Sequence, residues 1–243
     1  MLKRGAATRI LLVLVMLVIA VMRLWAPRAS RAPRRPQATP QPRAQVAPNA
    51  PGQQGTTDAD CPLEGDAKIP RVAALNLLKN RTAVPGPADF DTSVTLARLV
   101  APGDDRNRFR TNRAVRVAGY VADVKVGGIE TVNCKAKEPD ARDTHIELTL
   151  EPMSADEAKH VIVEVIPRWR RIVGAGGDDW HTNALRRTLK GRWIEVTGWL
   201  LYDEEHEANA ANTHRGNAKI WRATAWEVHP ITSLRVLERP PVR

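Results

Sequence analysis

Cysteine is scarce in this chain, with Cys61 and Cys134 the only two in 243 residues. Neither belongs to a Cys-x-x-Cys pair or to a Cys/His spacing of the zinc kind, which excludes a zinc ribbon or a local dithiol centre. Catalytic signatures are missing as well. There is no Gly-x-Ser-x-Gly, and the few serines after residue 60 sit beside no obvious base. Val173-Gly-Ala-Gly-Gly-Asp178 lacks the Lys-Ser/Thr of a phosphate loop and follows a segment ended by Pro167, so it reads as a flexible lead-in to a helix. A broad excess of one charge is absent from most of the chain. Residues 1–60 hold nine Lys and Arg against two acidic residues, and residues 61–243 hold twenty-eight against twenty-five. The formal +10 therefore belongs mainly to the N-terminal part, and a nearly neutral domain offers no wide footprint for a phosphate backbone.

The first sixty residues are not domain-like. After a short basic leader, Ile10 to Met22 is an unbroken apolar run continued by Arg23-Leu-Trp-Ala26. Counted to Ala26 it reaches spanning length, with Arg23 able to snorkel and Trp25 suited to the interface. No small-x-small cleavage site follows, so residues 1–26 are expected to be an uncleaved signal-anchor or transmembrane helix that contacts the membrane through residues 10–26. The basic residues beyond it, Arg23, Arg28, Arg31, Arg34, Arg35 and Arg43, outnumber Lys3, Arg4 and Arg9 and pull toward a cytoplasmic domain. The leader layout pulls outward, because long domains translocate largely regardless of flanking charge, and an extracytoplasmic domain is the expectation adopted. Residues 27–60, with seven prolines and hardly a large apolar side chain, form a disordered tether.

Residues 61–243 make one globular unit. Its N-terminal arm, residues 61–110, holds a helix over Arg71 to Arg81 (Val72, Leu75 and Leu78 at helical spacing) and a second one capped by Asp91 and running through Leu99. From Ala114 the period becomes two. Ala114 to Val126 is a long strand with Gly119 marking a bulge; Asp143 to Leu150 and His160 to Ile166 alternate cleanly, and Pro167 ends the latter. Asp178 or Asp179 caps a helix over Trp180 to Lys190. Two apolar segments follow, Arg192 to Leu200 and Lys219 to Val228, the second stopped by Pro230, with the polar loop Asp203 to Asn217 between them.

Three strands, a helix and two strands, with a mid-strand glycine in a long first strand, resemble the oligonucleotide/oligosaccharide-binding (OB) fold over Ala114 to His229. The resemblance implies a mainly β, five-stranded barrel with one helix between strands 3 and 4. It also implies that residues 127–142 and 203–217, the loops joining strands 1 to 2 and 4 to 5, flank the ligand face.

Two constellations are candidates for chemistry. Trp193, Trp199, Trp221 and Arg222, with His206 and Asn212 in the long loop, are the candidate ligand-binding set, offering rings on which sugars or bases stack. The competing reading buries these tryptophans in the core or under the arm. Trp221 and Trp226, five apart, fall on opposite faces of a regular strand and so cannot share one role. His145, Glu147, His206 and His229 are the candidate metal ligands, with Asp143, Asp203 and Glu227 beside them, a His/carboxylate set that suits a divalent ion such as zinc. An alternating polar strand face is also what any solvated sheet shows. For the cysteines, an oxidising compartment would allow a Cys61–Cys134 bridge closing a loop of seventy-odd residues, worth roughly 4 kcal/mol in the chain-entropy model; otherwise they are two thiols.

These residues favour a membrane-anchored, extracytoplasmic binding or interaction module for a glycan, nucleic-acid or protein ligand over an enzyme. The alternatives are a metal-dependent hydrolase and a structural component of the cell envelope.

Overall fold

The computed structural model describes residues 61–241 apart from Arg215. The expected anchor and tether, residues 1–60, lie outside the described residues. Among the described residues no helix is long and apolar enough to cross a membrane.

Five strands close into a barrel in the order β1-β2-β3-β5-β4: β1 (Ala114–Val126), β2 (Thr144–Thr149), β3 (Val161–Val165), β4 (Trp193–Tyr202) and β5 (Trp226–Leu237). All neighbours are antiparallel except β3 and β5, which meet in parallel at Val163 and Val228. This closed, mainly β barrel is compatible with an OB-like fold. Alternation does what period two requires. Val115, Val117, Val121 and Val124 of β1, Ile146 and Leu148 of β2, the three valines of β3, Ile194, Val196 and Leu200 of β4, and Val228 and Ile231 of β5 fill the interior.

Several local expectations need correction. The region between β3 and β4 holds two helices, α3 (Pro167–Gly174) and α4 (Thr182–Leu189), where one was expected. Pro167 does end the strand, but it also sits at the first helical position, where its missing N–H costs nothing and its fixed φ suits a helix. Neither Asp178 nor Asp179 caps α4; the cap position is His181, and the Asp179 carboxylate accepts from its backbone N–H at 3.0 Å.

The last strand is displaced further. It runs through Pro230 to Leu237 instead of stopping before it. The ladder accommodates Pro230 by a bulge: Gly198 pairs with Ile231 and Leu200 with Val228, so Trp199 faces both His229 and Pro230. Gly198 allows this crossing, because a Cβ there would lie 2.4 Å from the Pro230 carbonyl oxygen. Gly119, by contrast, is no bulge. It pairs regularly with Ile194, and the register shift of β1 falls between Val121 and Asp123.

The arm contributes α1 (Pro70–Lys79) and α2 (Leu96–Val100). Thr95 caps α2, accepting from the Arg98 N–H, while Asp91 instead accepts from Ser93 two residues on. Leu96 of α2 lies against Gly119, where an added Cβ would approach its Cδ2 to 2.6 Å. The expected helix over 71–81 is present as α1, but its buried stripe is Val72, Leu75, Asn76 and Lys79, while Leu77 is exposed.

Cys61 and Cys134 form a disulfide, with Cα atoms 5.7 Å apart, and it fastens the start of the arm to the loop between β1 and β2. Side-chain amides extend the seam. Asn76 donates to the Glu64 carbonyl (2.8 Å) and Thr131 Oγ1 (3.0 Å), and Asn80 donates to the carbonyls of Leu63 and Val132, both at 3.0 Å.

Candidate functional site

In a barrel with this strand order the outer face of β2 and β3, bordered by the 1–2 and 4–5 loops, is where ligands are usually taken. Here that face is covered by the chain itself. Cross-strand register sets the residues: His145 of β2 lies opposite Glu164 of β3, and Glu227 and His229 of β5 follow on the same side. Asp143 precedes β2. Asp143, Glu164, Glu227 and His229 are all buried, and His145 is nearly so. Over them lie Lys79 from α1, Glu130 from the 1–2 loop, and Asp203, His206 and Arg222 from the 4–5 loop.

Lys79 is the plug of this cover. Its Nζ reaches Glu130 Oε2 at 3.3 Å, Asp203 Oδ2 at 3.5 Å and Glu205 Oε2 at 3.6 Å, with a side chain only 1% exposed. Burial would drive its pKa down, but the surrounding carboxylates, Asp203 and Glu130 first, outweigh that and raise it well above the usual lysine range. Arg222, also buried, donates to Glu227 Oε2 at 2.8 Å and to the Thr224 carbonyl at 2.8 Å, and its Nη1 lies 3.8 Å from Asp203.

Six carboxylates, those of Glu130, Asp143, Glu164, Asp203, Glu205 and Glu227, thus gather around two fixed cations, Lys79 and Arg222. His206 adds charge only at the rim. Asp203 takes most of the positive charge, and against its burial Lys79 and His206 hold it well below the carboxylate range. Glu164 is left over. Burial, and then the charges of Glu227 and Asp143, push its pKa well above the ordinary value, and burial raises Asp143 too.

The residues anticipated for metal binding are placed as follows. His229 lies at the centre: its Nδ1 is 3.0 Å from Glu227 Oε1 and 3.4 Å from Glu164 Oε2, and its Nε2 is 3.9 Å from Asp143 Oδ2. One donor atom each from Asp143, Glu164 and His229 lies within 4.8 Å of the other two. His145 stands at the edge, Nε2 3.3 Å from Glu164 Oε1, its pKa pulled down to about 4 by burial. Glu147 is engaged elsewhere, with Lys125 Nζ at 2.7 Å and His160 Nδ1 at 2.8 Å. His206 pairs with Asp203 at 2.6 Å and belongs to the cover.

Of the residues anticipated for ligand stacking, most are used internally. Trp199 is buried under the arm, its Nε1 donating to the Ala83 carbonyl at 2.8 Å and the Arg81 guanidinium 4.8 Å from its ring centre. Trp221 lies between His145, stacked at 6.1 Å, and His206, edge-on at 5.4 Å. Asn212 donates to the Ala101 carbonyl at 3.1 Å and ties the 4–5 loop to the arm. Trp226 is core, packed on Phe109 and Tyr202. Trp193 is half-buried, as Trp221, His206 and Asn212 are, but lies away from the cover on β4, edge-on to Tyr120 at 5.6 Å.

Two members of the buried cluster were absent from the expected site. The alternation of Val161, Val163 and Val165 already put Glu164 outward, but only the β2–β3 register brings it opposite His145. Lys79 falls seven residues after Val72 and four after Leu75, on one helical stripe, a signal that its charge masks.

A separate pocket of about 220 Å³ opens beside the disulfide, lined in part by Asn80, Val132, Arg168 and Arg171.

The class defined by these observations is a closed, five-stranded β-barrel with one outer face covered by an arm and two loops. The chain matches no protein-family model and no curated protein. Among solved structures it is similar to Entamoeba histolytica asparaginyl-tRNA synthetase at 13% identity and TM-score 0.27, covering 59% of this chain and 24% of the synthetase. The same enzyme in complex with asparaginyl-adenylate gives 14% identity and TM-score 0.26 over 58% and 25%. The chain thus spans about a quarter of those chains, and a likeness at this TM-score carries no argument about function.

Proposed function

We propose that the chain is a membrane-tethered, extracytoplasmic interaction module that binds a glycan on the outer face of β1, β4 and β5. The observation that carries this reading is the half-exposed Tyr120–Trp193 pair on a sheet face whose basic residues are paired with acidic ones. Register aligns Arg116, Thr197 and Ser233, then Ala118, Glu195 and Arg235, then Tyr120, Trp193 and Leu237 across the three strands. Glu195 is 2.8 Å from Arg235 and 3.7 Å from Arg116, and Asp123 is 2.7 Å from Lys190. An aromatic platform whose three basic side chains are tied to two carboxylates, leaving little net charge, suits a sugar ring better than a phosphate backbone. The disulfide supports an oxidising compartment and with it the outward orientation. A hydrolase reading is less well supported, since catalytic metal sites keep a position open to substrate and Asp143, Glu164 and His229 are all covered.

The test is titration of the full chain in detergent with neutral envelope oligosaccharides, followed by tryptophan fluorescence. Saturable quenching that Trp193→Ala removes is the expected result. Binding that survives this substitution, or binding of oligonucleotides in preference to glycans, would overturn it.

A further inference from the structure

We propose that Asp143, Glu164 and His229 form a structural site for one divalent transition-metal ion, zinc or manganese by donor type, sealed between the barrel wall and the arm. Three independent features point to it. The first is proximity, because one donor atom per residue already falls within 4.8 Å of the others. Donors around a tetrahedral zinc at bond lengths of about 2.0–2.2 Å are roughly 3.3–3.6 Å apart, so closure needs side-chain shifts on the order of 1 Å.

The second feature is unspent donor capacity. Asp143 Oδ1 and His229 Nε2 are buried and have no hydrogen-bond partner, and neither does His145 Nε2 at the edge of the group. Buried polar atoms are seldom left so. The orientation of His229 accounts for its free nitrogen. Glu227 Oε1 accepts from Nδ1 at 3.0 Å, and Arg222 holds Glu227 in turn at 2.8 Å. With the carboxylate accepting, the proton belongs on Nδ1, which also lies 3.4 Å from Glu164 Oε2, and Nε2, 3.9 Å from Asp143 Oδ2, is the nitrogen left free to bind an ion, the carboxylate–histidine arrangement that supports metal-bound imidazoles.

The third feature is charge. Lys79 and Arg222 make their ion pairs with Glu130, Asp203, Glu205 and Glu227, and among the described residues no Lys or Arg pairs directly with Asp143 or Glu164. An isolated buried carboxylate is strongly disfavoured, and a divalent ion supplies the missing charge where two carboxylates and an imidazole converge. One imidazole with two carboxylates suits zinc or manganese, and the absence of thiolates argues against a soft ion.

The test is metal analysis of the full chain purified in detergent, before and after chelation, with Zn²⁺ and Mn²⁺ added back separately and thermal unfolding recorded in each state. One ion per chain and an upward shift of the unfolding midpoint on adding it back are expected. Glu164→Gln should lose both. Glu227→Gln, which leaves the three ligands in place, should weaken the ion by roughly 10–100-fold. Less than a tenth of an ion per wild-type chain, with no shift on addition, would overturn the site whatever the variants do. The variants also discriminate by sign. If Glu164 is only a buried carboxylate under repulsion, Glu164→Gln should raise the midpoint of the untreated protein; with an ion in place it should lower it.

Discussion

His206 is the residue at which the cover of the barrel face becomes sensitive to pH. Burial works against its charged form, but the hydrogen bond and charge of Asp203, aided by Glu130 and opposed by Arg222, outweigh burial and raise its pKa. A raised folded value means that protonation stabilises the fold. Its contribution is complete below the unfolded histidine pKa of about 6.5 and is lost as pH climbs through the raised value. Asp203, whose folded value is depressed, contributes above the carboxylate range and would lose its share only in strong acid. Lys79 and Arg222 face the same pair and, held above their usual values by the surrounding carboxylates, keep their charges across neutral pH. Urea unfolding midpoints should therefore fall as pH rises above about 6.5 in the wild type, and the fall should be smaller in His206→Gln. Equal slopes in the two proteins would show that the pair does not couple to folding. Lys79 belongs to the same cluster with higher stakes, since removing one partner of a buried ion pair typically costs about 3–5 kcal/mol.

At the scale of elements, the crossing of β4 and β5 is the tightest joint. The Gly198 position offers a Cβ contacts of 2.4 Å to the Pro230 oxygen, 2.7 Å to Val228 Cγ1 and 2.8 Å to Ile231 Cα, two of them backbone that cannot swing away. Gly198→Ala should destabilise the domain by about 1–3 kcal/mol, read as a drop in urea midpoint at unchanged slope, as overpacking usually does. A neutral effect would mean that β5 shifts freely, against the pairing it keeps with β4 on both sides of the bulge. The same joint explains where the sequence could and could not be read. Strands β1 to β4 and the disulfide partners were legible because period-two alternation holds over most of those strands, broken only near Val121 and Gly198, and because only two cysteines exist. The end of β5 was not, since a bulge opposite Gly198 lets a proline stand inside a strand, and nothing local announces the bulge. Helix α3 was hidden for the same kind of reason, Pro167 serving as strand end and helix start at once. In the buried cluster His145 and His229 stood out by residue type. Glu164 depended on inter-strand register and Lys79 on a helical stripe that mixes Val72 and Leu75 with polar side chains.

At the scale of the whole molecule, the proposed tether, the proposed outward orientation and the covered face are linked through one covalent bond. The Cys61–Cys134 bridge spans 73 residues and fastens the arm just where the chain enters the domain, so any pull along the N-terminal segment is delivered to the 1–2 loop and not to α1 alone. In the chain-entropy model a loop of that length contributes roughly 4 kcal/mol, less any strain. Such a bridge persists in oxidising surroundings and is rare where glutathione reduces it. The proposed outward orientation therefore makes a joint prediction. The chain should fractionate with membranes, protease added to the outer side of the intact anchoring membrane should cut within residues 27–60, and non-reduced mass spectrometry of protein taken directly from those membranes should find Cys61 joined to Cys134. Protection of residues 27–60 together with two free thiols would place the domain in the cytoplasm, the orientation toward which the six arginines from Arg23 to Arg43 pull. The two measurements are coupled by chemistry, because a domain on the reducing side would be expected to open the bridge, loosen the arm from the 1–2 loop and uncover the charged face that Lys79 now closes.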